Sequence, residues 1–274
     1  MEAFFLKGRH GRLLCVYHPP TQSRVLGSVL LFPPFAEELN RCRRMIALQA
    51  RALASIGVGA LILDLTGTGD SSENLSEATW EGWLDDMQMG LDWLQTHRVP
   101  LLGFWAIRAG ALLASSFIAR SSYNCHRMIL WKPVLDGAAY INQLLRIRVA
   151  GSASRGEIVE TTEGLRSRIS KGEEIEIGGY SFSSSLFIEL GLQQFVAPDR
   201  CFVDKVDWFE VVSKEGPRVP TPSSGVAYAW KQKGVDVTVD LVVGPPFWSS
   251  QSDLELSSLV RVTTTRFAGG IHGS

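Results

Sequence analysis

Neither charge is in surplus in this sequence: Lys and Arg number 27, Asp and Glu 28, and the formal net charge is -1. With no run of basic residues either, the chain lacks the electrostatic footprint of a nucleic-acid binder. Cysteine is scarce and scattered. Cys15, Cys42, Cys125 and Cys201 form no CxxC pair and combine with no histidine at metal-ligand spacing. They predict reduced thiols in a cytoplasmic protein, with no metal and no cofactor. Long hydrophobic runs are also missing. Every apolar stretch meets Gly, Pro or charge well before the roughly 18 residues of a membrane span, so no span is expected. The first residues, MEAFFLK, show no basic segment leading into an apolar run, and no signal peptide is expected. No internal repeat breaks the chain into modules. What remains is 45% hydrophobic and 20% charged, the material of one large globular core.

The order of apolar patterns is informative. Residues 4–6 and 13–18 read as an antiparallel strand pair around the turn GRHG. Residues 27–32 (GSVLLF) and 58–65 (VGALILDL) are near-continuous apolar strands, as in a parallel sheet covered on both faces. Between them, 41–56 carries Met45, Leu48, Ala52 and Leu53 at helical spacing, and Gly57 ends it. A Gly-rich turn at 67–72 precedes an amphipathic helix over 78–97, with capping candidates at 74–77. Another strand, a tight turn and a helix occupy 99–114, and RMILW at 127–131 is a further core strand. Alternation of this kind predicts βαβ units and a mainly parallel sheet flanked by helices. Residues 136–195 break the pattern with helical patches at 139–149 and 161–169, a Gly/Ser-rich stretch at 178–185, and no evident strand. Alternation then resumes with strands at 206–212 and 237–243 and helices near 223–234 and 254–263. The expected organisation is a core of 1–135 and 196–267, a helical cap inserted at 136–195, and a flexible tail at 268–274.

The turn after the fifth strand holds the most informative residue. Arg108 lies between Ala106 and Gly110, each two positions away. That is the small-x-nucleophile-x-small frame of a nucleophile elbow, in which a sharp turn packs strand and helix closely. An arginine stays protonated and offers no lone pair, so it cannot attack a carbonyl.

The element order and the elbow resemble the α/β-hydrolase fold. The turn DLTGTGDS at 64–71 is similar to the D-x-x-G-x-G-x-S turn of many such enzymes, and PPFA at 33–36 stands where they carry the oxyanion loop. A narrower resemblance is to the exosortase A system-associated hydrolases of the hydrolase 2 type. It rests on GRHGR (8–12), PPFAEELN (33–40), RRM (43–45), WLDD (83–86), LWKPV (130–134) and PFW (246–248), which span most of the chain. The resemblance implies a bacterial protein associated with exopolysaccharide loci.

Hydrolases of this fold place nucleophile, acid and histidine in that chain order. Here the apex is Arg108, the acid's loop offers only Glu215, and the histidine's loop, GPPFWS at 244–249, has no histidine. His10, His18, His97, His126 and His272 all lie elsewhere. Two readings follow. In one, the chain is an atypical hydrolase or acyl-transfer enzyme in which Glu37 or Glu38, with a raised pKa, serves as general base. In the other, it is a catalytically degenerate binding protein with an anion site at Arg108. The backbone of Ala109, Phe35 and Ala36 would add donors at the helix N-terminus. Asp70, Ser71 and Trp248 complete the candidate binding set. The bland alternatives stand beside these: Arg108 pairs internally with Glu37, Glu38, Asp64 or Asp70, and the two glutamates simply begin a helix. Trp105 and Trp131 line the pocket or pack in the core. The cap's Arg146, Arg148, Arg155, Arg166, Arg168 and Lys171 attract an acidic ligand or form a solvated face. In either reading the partner is a small molecule, anionic or of acyl or glycan type.

Overall fold

The structure is a computed structural model and describes residues 1–120, 123–154, 160–197, 203–214, 216, 218–250 and 255–271. Its first strands, β1 (Glu2–Gly8) and β2 (Gly11–His18), form an antiparallel pair around the turn at positions 9 and 10. The next two, β3 (Gly27–Phe32) and β4 (Val58–Leu63), are apolar along almost their whole length because both sheet faces are covered. Then follow β5 (Leu101–Ile107), β6 (Cys125–Trp131), β9 (Val203–Val212) and β10 (Asp236–Val243). The eight strands lie in the order β1-β2-β4-β3-β5-β6-β9-β10. Every pairing from β4 to β10 is parallel, and the antiparallel pairings are β1 with β2 and β2 with β4.

Two hydrophobic layers sandwich this sheet. On one face, α1 (Ala36–Ala54) and α8 (Ser257–Ile271) bury Cys42, Met45, Leu53, Leu259 and Phe267 against Val29, Leu31, Trp105 and Trp131. On the other, α2 (Trp80–Thr96), α3 (Gly110–Arg120) and α7 (Thr221–Gln232) bury Trp83, Met87, Leu112, Phe117 and Trp230. The residues at 74–79 act as caps: Asn74 and Glu77 form a capping box, and the Thr79 hydroxyl accepts from Gly82 N at 3.0 Å.

Between β6 and β9 the chain leaves the sheet and forms α4 (Gly137–Ser154), α5 (Thr162–Ser170) and α6 (Ser184–Gly191). This is the segment expected to form a helical cap, and it also holds a hairpin of β7 (Ile175–Ile177) and β8 (Tyr180–Phe182), where no strand was expected. Three-residue strands are too short for a period-2 pattern to stand out; the signal was the Gly178-Gly179 pair, both at positive φ in the turn. Two boundaries also move. Helix α1 begins at Ala36, five residues before the expected start, so both glutamates lie in its first turn. Helix α8 continues to Ile271, through part of the expected tail. Phe267 is buried, and Arg127 donates to the carbonyls of Arg266 and Phe267 at 2.8 and 3.1 Å, which anchors the last turns. Positions 272–274 and Leu254 lie outside the described residues.

Candidate functional site

The elbow forms as the small residues require. Strand β5 ends at Ile107, Arg108 adopts φ +53°, and α3 starts at Gly110. A Cβ on Gly110 would stand 2.2 Å from the Phe32 carbonyl oxygen, so only glycine lets the helix approach β3 this closely. The apex is pinned from both sides. Its N–H donates to Trp131 O and its carbonyl accepts from Val134 N, each at 3.0 Å. Ala36, the first residue of α1, and Lys132, just after β6, also have left-handed backbones, with φ +50° and +42°. Three strained non-glycine residues in the segments that follow three adjacent strands mark this edge of the sheet as a site held by its surroundings.

Arg108 is consumed by the protein itself. Its Nε donates to both Glu38 carboxylate oxygens at 3.3 Å, and Nη2 donates to Oε1 at 3.1 Å. Nη1 donates to the Lys132 carbonyl at 3.2 Å, and the guanidinium lies 4.8 Å from the Trp248 ring centroid. The two side chains are 8% and 13% exposed, so the pair is nearly out of water. Burial pushes the Glu38 carboxyl up from its ordinary range, while the Arg108 charge and hydrogen bonds pull it back. Burial opposes the Arg108 charge too, but Glu38 reverses this and holds the guanidinium above its usual value.

A cavity of about 340 Å³ opens in front of this pair, between α1, the cap and the loop after β10. Phe35, Leu144, Ile147, Ile177, Phe182 and Trp248 give it an apolar wall. Glu37, Glu38, Arg41, Tyr140, Gln143 and Ser249 give it polar groups. Tyr140, on α4, presents its hydroxyl to Glu38, and burial together with that carboxylate pushes the phenol up. Glu37 turns away from Arg108. It accepts from Arg41 at 2.5 Å, and Arg41 also donates to Ser250 O at 2.6 Å.

The expected set is thus only partly brought together. Glu37, Glu38, Phe35, Ala36 and Trp248 line one cavity, with Arg108 directly behind Glu38. Ala109 lies in the turn just before α3, fully buried. Asp70 and Ser71 do not join them. Asp64 takes a two-pronged ion pair from Arg43, at 3.1 and 3.0 Å, and also accepts from Asp70 N. Ser71 Oγ donates to Asp64 O and accepts from Leu14 N, tying the Gly-rich turn to β2. Asp70 borders a separate polar cavity of about 640 Å³ with Arg43, Asn74 and Tyr180. Trp105 and Trp131 pack edge-to-face in the core, with centroids 4.9 Å apart. Of the cap's basic residues, Arg148 and Arg168 pair with Glu160, while Arg155 lies outside the described residues.

Glu215 also lies outside the described residues. Another acid, Glu210 near the end of β9, emerges in its stead. It is buried and accepts from Lys132 Nζ and Ser223 Oγ, each at 2.5 Å, and from Trp208 Nε1 at 3.2 Å. Its signal was an acid inside the apolar run VDWFEVV. None of His10, His18, His97 and His126 lines the Arg108 cavity. His97 stacks on Trp93, and His126 meets Asp204 at 2.8 Å. Among the described residues no three His, Cys, Asp or Glu side chains are placed to hold a metal.

No protein-family model and no curated protein matches the chain. Solved structures do. Est1E from Butyrivibrio proteoclasticus, with ferulic acid bound, superposes with a TM-score of 0.69 at 16% identity, over 98% of this chain and 100% of that one. A thermostable carboxyl esterase from Bacillus coagulans in complex with glycerol gives 0.64 at 11% identity, over 99% and 98%. Mouse alpha/beta hydrolase domain-containing protein 10 gives 0.60 at 15% identity, over 97% and 98%. The likeness is one of fold, and the fold of this chain is that of the α/β-hydrolases.

Proposed function

We propose that this α/β-hydrolase-fold chain binds a small amphipathic molecule in the cavity under its cap and forms no acyl-enzyme. The observation that carries this reading is the apex itself. Arg108 is paired with Glu38, bonded to the Lys132 carbonyl and covered by Trp248, and has no nucleophilic atom. A free anion site at Arg108 is disfavoured for the same reason, since Glu38 already fills it. Neighbours of this fold hold ferulic acid and glycerol, and a cavity of about 340 Å³ suits ligands of that class. In this reading 1–135 and 196–267 form the core and 136–195 the cap. The resemblance to exosortase A-associated hydrolases supports a place in exopolysaccharide metabolism. Free Cys15, Cys42 and Cys125 support a cytoplasmic location.

The test pairs a fluorophosphonate probe with a panel of p-nitrophenyl esters and acyl thioesters. The expected result is no labelling and no turnover above buffer. One observation favours a second reading: Glu38 is a buried carboxyl, raised from its ordinary range, at the cavity wall. As a general base it would activate water without an acyl-enzyme. Turnover of any panel member that is lost in Glu38→Gln would establish that reading and refute ours.

A further inference from the structure

Every charge around the cavity has its counter-charge within the protein. Glu38 faces Arg108 with both oxygens, and Glu37 faces Arg41. Neither arginine is left to a ligand, because the Lys132 and Ser250 carbonyls take the other arm of each. The remaining polar lining groups, Tyr140, Gln143 and Ser249, are uncharged at neutral pH. A ligand anion would have to displace Glu38 from a pair that is almost fully buried, leaving that carboxylate without a partner. A ligand cation would have to compete with Arg41 or Arg108 in the same way. Displacing Glu38 strands a charge in a poorly solvated place, and competing for the half-exposed Glu37 gives up its ion pair with Arg41. A hydroxyl or amide head meets no such cost. It can donate to a carboxylate lone pair or to the Tyr140 oxygen and accept from the Gln143 amide while the ion pairs stay closed. Its apolar body then lies along Leu144, Ile147, Ile177 and Phe182.

We infer that the cavity selects an amphiphile with an uncharged polar head over a carboxylate or an ammonium of the same chain length. This rests on the ligand-cavity reading above. The test compares three ten-carbon probes by calorimetry below their micelle thresholds: 1-monodecanoylglycerol, decanoate and decyltrimethylammonium. The neutral probe should bind at least tenfold tighter than either ion. Equal or tighter binding of decanoate or of the ammonium overturns the inference while leaving a ligand cavity in place. Failure of all three to bind overturns the cavity reading and this inference with it. Leu144→Trp, which fills the apolar end, should abolish binding of the neutral probe; retained affinity would overturn the assignment to this cavity.

Two substitutions test the charge balance directly. Glu38→Gln frees Arg108 and should raise decanoate affinity at least tenfold relative to the neutral probe. Arg41→Gln, on a partly exposed pair, frees Glu37 and should raise the ammonium's relative affinity several-fold. A folded variant of either kind that keeps the original order of preference overturns the inference.

Discussion

At Arg108 the local conflict is between a charge and its burial. The side chain is nearly excluded from water, and only Glu38 matches its charge. Removing one member of such a pair leaves the other buried and uncompensated. Arg108→Ala should therefore lower unfolding stability by about 3–5 kcal/mol, read by urea denaturation. Arg108→Ser places a hydroxyl at the apex, but none of His10, His18, His97 and His126 lines the cavity to take its proton. It should hydrolyse p-nitrophenyl acetate no faster than buffer, and turnover well above background would refute the assignment of an incomplete site. Asp86 presents a different balance. It is buried under the Gly-rich turn, accepts from Thr66 N at 2.7 Å, and burial raises its carboxyl from the ordinary range. A carboxyl raised on folding contributes stability that is full below its unfolded pKa and is lost as pH rises through the folded one. Asp86→Asn removes that loss. Its stability relative to the parent should improve steadily from pH 4 to pH 7, and a gap that is constant across this range would show Asp86 to be unshifted.

The elements that position the site depend on close backbone approach. Helix α3 reaches β3 only because Gly110 has no side chain. Gly110→Ala should push the two apart and cost about 1–3 kcal/mol by overpacking, with a fall in Tm as the readout. The approach was legible beforehand, because Ala106 and Gly110 bracket Arg108 at the required spacing. The parallel strands were legible for a related reason: burial on both faces demands apolar residues at every position, as in β3. The cap hairpin was not, since its short strands carry no pattern longer than their own turn. The site's chemistry was harder still. The residues around Arg108 offered four candidate carboxylates, and only the geometry selects Glu38, with Asp64 taken by Arg43 and Glu37 by Arg41. Tyr140 and Glu210 went unseen because their roles arise from contacts 102 and 78 residues away in sequence, with Glu38 and Lys132.

For the whole molecule, the question is how cap and core are joined. Asn40, on α1, donates its side-chain amide to the Tyr180 hydroxyl on β8, a direct polar bond between the two layers. Each of Asn40→Ala and Tyr180→Phe should cost about 0.5–1.5 kcal/mol, but the double variant should cost little more than either alone. Fully additive losses, measured in a denaturation cycle, would mean that the bond does not couple the layers.

The buried thiols give this architecture a clock. Cys15 lies in β2, Cys42 in α1 and Cys125 at the start of β6, and all three are sealed from solvent. Burial pushes Cys15 and Cys125 up to about 12 and raises Cys42 as well, so the native state holds almost no thiolate to react. Alkylation at each position must wait for its own part of the fold to open. Timed iodoacetamide labelling with mass readout would thus separate β2, the helix over the sheet and β6 by their opening rates, without a single substitution.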